Sequence, residues 1–147
     1  MKEKPSFKVM TTPEDFVKRR LVSGPIWLNV GSETFPGTGW TDFPVVVLGF
    51  WLTNLQPIVS GSSQNCECPF MDGPYQFDVA VAGLNEWTLN LVERTAHGKT
   101  ILLIARLDAS VVLSQIVDAA RAVVNICRDR EWVDDDLIKL EGLIQLA

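Results

Sequence analysis

At 147 residues the chain has the length of one domain, taken here as 1–147, and it is long enough to bury a core without disulfides or a structural metal. A composition of 47% hydrophobic and 21% charged residues excludes a disordered chain. Thirteen basic against eighteen acidic residues leave a net charge of -5, which speaks against a nucleic-acid binder with its usual basic face.

The N-terminal "MKEKPSFKVMTTPEDF" carries charge but no apolar run, so no secretory signal is expected. "PEDFVKRRL" reads as a short helix, with Thr12 as cap and Pro13 in the first position. Its Lys18, Arg19 and Arg20 lack the interleaved aromatics of a nucleic-acid groove and read as a solvated face. In "GPIWLNVGSETF" the alternation of Ile26, Leu28 and Val30 indicates a strand.

The most apolar passage, "GWTDFPVVVLGFWLTN", is too short to cross a membrane, which takes about twenty residues. Pro44 would break a central strand but costs nothing in the first turn of a helix capped by Thr41 or Asp42. A helix over 42–55 is therefore expected, ending before Pro57 and apolar round most of its circumference. Burial on two sides follows, with the sheet on one and the C-terminal helices on the other. Exposure of Phe50 or Trp51 would instead mark an interaction surface.

Beyond "SGSSQN" the period becomes two, and "CECPFM", "YQFDVAV", "EWTLNLVER" and "KTILLIARL" read as four strands. Their short connections predict an antiparallel meander. Phe77, Val79, Val81, Trp87, Leu89, Leu91, Ile101, Leu103 and Leu107 are assigned to its buried face. Gln76, Asp78, Thr88, Asn90 and Arg106 fall on a wet face, where Leu102 and Ile104 need a cover, expected from the N-terminal residues. Asp108 caps a helix with Val112, Ile116, Ala119, Ala120, Val123 and Cys127 on one side, and "VDDD" opens a last helix with Leu137, Ile138, Leu140, Ile144 and Leu146 inward. The expected fold is α+β: an antiparallel sheet, made of the four-strand meander plus an N-terminal strand, with a central apolar helix and two C-terminal helices packed on one face.

No catalytic, cofactor or metal motif stands out. His97 lies in a hairpin turn, where a solvated side chain is the default. Cys66 and Cys68 lack C-x2-C knuckle spacing, Cys127 sits on an apolar helical stripe, and a reducing compartment, the cytoplasm, suits three unpaired cysteines. "FPGTGWTD" and "FMDGPY" match no phosphate-binding loop and read as turns. Asp134, Asp135 and Asp136 stabilise a helix N-terminus whatever the function. With Asp129, Glu131 and the adjacent Trp132 they also make an acidic corner, the candidate partner-binding surface.

"WTDFPVVVLGFWL", "FMDGPYQFDV" and the paired C-terminal helices resemble a class of small bacterial proteins. The chain is similar in general character to immunity proteins of contact-dependent inhibition and other polymorphic toxin systems, being small, acidic and without catalytic residues. That resemblance implies a non-enzymatic cytosolic protein that neutralises a cognate toxin, such as a basic nuclease domain, by direct binding. It implies no cofactor and no nucleic-acid or membrane partner. The alternative is a small-molecule-binding or enzymatic domain with a pocket between helix 42–55 and the sheet, for which convergent ionisable groups would be the sign.

Overall fold

The computed structural model describes residues 3–147; Met1 and Lys2, part of the charged N-terminal stretch, lie outside the described residues. Among those residues the fold is α+β, with two antiparallel sheets and three α-helices. The first sheet is built round β3 (Val22–Val30), which pairs with β1 (Phe7–Thr11), β2 (Val17–Lys18), β4 (Glu33–Phe35) and β5 (Thr41–Asp42). Every second residue of β3 from Val22 to Val30 is buried, as its alternation requires. The N-terminal strand thus nucleates a sheet of its own beside the meander.

The helix expected over "PEDFVKRRL" is replaced by one 3-10 turn, Pro13–Asp15, and the strand β2. Phe16 turns inward instead, and it packs so closely on Gly24 of β3 that a β-carbon there would lie 2.3 Å from its ring. A buried aromatic outweighs the helical propensity of a short charged segment.

The apolar passage forms α1 (Pro44–Val59), with Pro44 in its first turn. Two of its expected boundaries move. Thr41 and Asp42 belong to β5, Phe43 occupies the cap position, and the helix continues through Pro57 for one more turn. Proline forfeits one intrahelical bond there, but the turn buries Ile58, and the Pro57 carbonyl accepts the N–H groups of Ser62 (2.8 Å) and Ser63 (3.0 Å). α1 packs against β3 and β6 on one side and α2 and α3 on another, the two-sided burial its circumference called for.

The meander follows in the expected order: β6 (Asn65–Pro69), β7 (Tyr75–Gly83), β8 (Glu86–Thr95) and β9 (Gly98–Asp108). A register shift at Leu91/Val92 sets Leu91 opposite Leu103 but Val92 opposite Ile101, leaving Leu102 as the extra residue of a β-bulge. The bulge turns Ile101 out of the core, where strict alternation had placed it. Leu102 and Ile104 are exposed as well, because the N-terminal residues that were to cover them are engaged in the other sheet.

α2 (Ala109–Asp129) buries all six residues assigned to its inner stripe. By length and composition it is the one helix among the described residues able to span a membrane, but its apolar side is packed against β1, α1 and α3. Asp108 holds its cap position without a side-chain bond to the helix, its carboxylate being taken by Lys4 at 2.6 Å. α3 (Asp135–Leu146) buries Leu137, Leu140 and Ile144; Ile138 and Leu146 fall off that stripe and are exposed. Residues from both sheets and all three helices join one continuous buried cluster.

Candidate functional site

The acidic corner is the turn between α2 and α3. Arg130 is the last half-helical residue of α2; beyond it Glu131 adopts a left-handed conformation (φ 60°). Its N–H donates to the Arg128 carbonyl (3.0 Å), and the Trp132 N–H reaches back to Cys127 (2.8 Å). This is the double-bonded helix ending whose left-handed position favours glycine, since a side chain there costs about 1–2 kcal/mol. Asp134 then caps α3, its carboxylate accepting the Leu137 N–H at 2.9 Å.

Asp129, Glu131, Asp135 and Asp136 are exposed, whereas Asp134 and Trp132 are half-buried. The six residues are thus neighbours along one turn with unequal roles. Arg130 lies over the Trp132 ring at 5.0 Å and donates to the carbonyls of Phe16 (2.8 Å) and Glu14 (3.0 Å), tying the corner to the N-terminal turn. Arg128 is paired with Glu141 of α3. Five carboxylates against these two arginines leave a formal charge of -3 over residues 128–136.

The corner continues onto α1. Asp136 and Lys139 face Val45, Val46, Gly49 and Phe50 across a shallow groove of about 40 Å³. Phe50 is 40% exposed, while its neighbour Trp51 is fully buried. Exposure of Phe50 or Trp51 was the condition set for an interaction surface; Phe50 meets it and Trp51 does not. Only the helical phase of Phe50, off the buried Val47, Trp51, Leu55 stripe, could have pointed to it in sequence.

Between α1 and the meander at Trp51 the space is filled by buried side chains. The Trp51 ring meets Phe77 and Phe70 edge-on at 4.9 and 5.2 Å, and its indole N–H donates to the Pro69 carbonyl at 2.7 Å. Phe70, Phe35, Tyr75 and Trp40 extend the aromatic contacts to the loop "FMDGPY", where Gly73 (φ 71°) lets the Trp40 ring approach. Asp42 joins the two conspicuous loops: buried, it accepts from the Trp40 indole (3.0 Å) and the N–H groups of Phe43 (2.8 Å) and Asp72 (3.1 Å). Burial pushes its carboxyl above the ordinary range, and the three donors oppose that shift.

Ionisable groups converge instead on the meander's opposite face. There a cavity of about 210 Å³ is lined by Glu67, Asp78, Ala80, Thr88, Asn90 and Lys99 among others. The Lys99 ammonium reaches from β9 across to Glu67 on β6 and to Asp78 on β7 (3.1 Å), and the Asn90 amide oxygen is buried without a partner. Lys99 holds the Glu67 carboxyl below its usual range. Both carboxylates are therefore paired with one ammonium of the chain itself, and the trio keeps a net charge of -1. The polar alternation of Asp78, Thr88 and Asn90 signals this face in the sequence, but Gln76, assigned to it as well, is buried, its amide donating to Asp78 and accepting from Arg94; Lys99 is brought there by the hairpin register. His97 is exposed in its turn.

Comparison of the chain with protein-family models, with curated proteins and with solved structures finds no match.

Proposed function

We propose that this chain is a non-enzymatic binding protein of the cytosol, and most concretely an immunity protein that neutralises a cognate toxin by direct contact, with the acidic corner facing a basic domain such as a nuclease. The observation that carries the reading is Glu131. A glycine would relax its left-handed backbone, yet the position holds an exposed carboxylate among Asp129, Asp135 and Asp136. Retaining a side chain against that cost favours a role outside the fold. The acids would accelerate encounter with a basic surface, and Phe50, beside Asp136, supplies an aromatic anchor of the kind on which affinity concentrates.

The test is co-purification with the product encoded immediately upstream, followed by two variants. Glu131→Gly should raise unfolding stability by up to about 1 kcal/mol and weaken the complex, moving the two quantities in opposite directions. Reversal of Asp134, Asp135 and Asp136 to Lys should abolish the complex, with loss of the Asp134 cap costing about 1 kcal/mol of stability besides. A complex that survives both changes, or no complex and no protection, sinks the proposal.

A second reading, self-association through β9, rests on a separate observation: Ile101, Leu102 and Ile104 are 50%, 51% and 61% exposed on an edge strand. Sedimentation of the purified protein decides it; a monomer at high micromolar concentration rules it out.

A further inference from the structure

Cys66 and Cys68 stand two residues apart on β6, opposite Val79 and Phe77, so both thiols project to the face on which α1 packs. Their sulfurs lie 4.0 Å apart. Cys68 is fully buried and Cys66 half-buried, so the pair has one inner and one accessible member. Neither is in a disulfide, and the spacing of residues i and i+2 in an extended strand, about 6.5–7 Å between α-carbons, resists one.

We propose that Cys66 and Cys68 form a two-thiolate site for a soft monovalent cation of the Cu(I) class. With metal–sulfur bonds of about 2.3 Å, two sulfurs on a linear two-coordinate ion span about 4.6 Å. The observed 4.0 Å is short of that by about 0.6 Å, so the thiols part by a small side-chain rotation to admit the ion. Among the described residues no group of three or more His, Cys, Asp or Glu is placed to hold a metal, which disfavours zinc, a four-ligand ion, and hard cations that need oxygen. Thiolates with no third ligand select soft ions that accept low coordination. On binding, two S–H bonds break, two metal–sulfur bonds form and two protons leave to solvent; no electron is transferred.

Cys66, half-buried, is the sulfur an incoming ion meets first, and Cys68 lies fully buried behind it. The site makes no use of the acidic corner and stands independently of the binding reading above.

The test is anaerobic titration of the reduced full chain with Cu(I) against a coloured Cu(I) chelator. One equivalent per chain should be retained, with new near-ultraviolet thiolate-to-metal absorption. Cys66→Ser, a change at a half-buried position, should lower the affinity at least about tenfold, and Cys127→Ser on α2 should leave it unchanged. Circular dichroism of both variants checks that they remain folded. No retained equivalent, equal affinity in the Cys66→Ser variant, loss with Cys127→Ser, or Zn(II) held as tightly as Cu(I) would each overturn the proposal.

Discussion

The two edges of the meander meet the same physical problem with different means. At β6 the outer strand lies under α1, whose Trp51 and Asn54 side chains donate to the carbonyls of Pro69 (2.7 Å) and Glu67 (2.8 Å). A helix closes that edge by offering donors to a strand that would otherwise seek another chain. At β9, among the described residues, no helix side chain donates to the edge: an eleven-residue strand displays Ile101, Leu102 and Ile104 to solvent. Its protection is local, a bulge at Leu102 that twists the ladder, and the charges of Lys99 and Arg106 at either end of the apolar run. One edge is part of the folding core, and the other is a surface kept from indiscriminate pairing.

If that contrast is right, the largest effect belongs to Trp51→Ala. It removes a fully buried ring, two edge-on aromatic contacts and one of the two donors to β6, and should cost about 3–5 kcal/mol in urea unfolding. Asn54→Ala removes only the other donor. Glu67 can turn its carbonyl to water, so the loss should be about 1 kcal/mol, with faster amide exchange confined to β6 and the end of α1. Uniform exchange across all four strands would show that the helix does not close this edge specifically.

How much of this was legible in the sequence follows from what each signal depends on. The four meander strands, their order, and the buried stripe of α2 rest on local periodicity, which a short-range pattern carries. The bulge does not: Ile101, Leu102, Leu103 and Ile104 are alike in hydropathy, and only pairing with Leu91 and Val92 decides which of them faces inward. The same holds for Phe16, whose burial depends on the absence of a side chain at Gly24, eight residues away. Asp42 was read as a helix cap because Asp-x-Pro is a cap pattern, but the neighbouring Trp40 indole and the distant Asp72 N–H claimed its carboxylate. The acidic corner was legible as composition. The left-handed backbone of Glu131 within it was not, because a helix ending of this kind normally announces itself with glycine.

On the β9 side the effects should be smaller. Lys99 spans the outer face to Glu67 and Asp78; Lys99 and Glu67 are exposed and Asp78 is half-buried, so Lys99→Ala should cost no more than about 1 kcal/mol. Its signature is in pH. Because Lys99 depresses the Glu67 carboxyl in the folded state, the pair's contribution is fully present above the ordinary Glu value of 4.5 and is lost as pH falls through the lowered folded value. In Lys99→Ala the Glu67 titration, followed by carboxyl NMR, should move up toward the ordinary value and that acid-side loss should shrink. An unmoved Glu67 would mean that the ion pair is not formed in solution.

The smallest effect expected is the most discriminating. Ile104→Lys adds a charge to a strand position that faces solvent and sits opposite Asn90, and unfolding stability should stay within about 0.5 kcal/mol of the parent. The same substitution in the core-facing series, Leu103 or Leu107, would bury an ammonium against Leu91 or Trp87. Stability therefore reports whether β9 is a free edge, and association reports what that edge does. If the parent protein self-associates and Ile104→Lys is monomeric with unchanged stability, β9 is an interface. If stability instead falls by more than 1 kcal/mol, the exposed ridge is part of the fold's own packing and the contrast between the two edges fails.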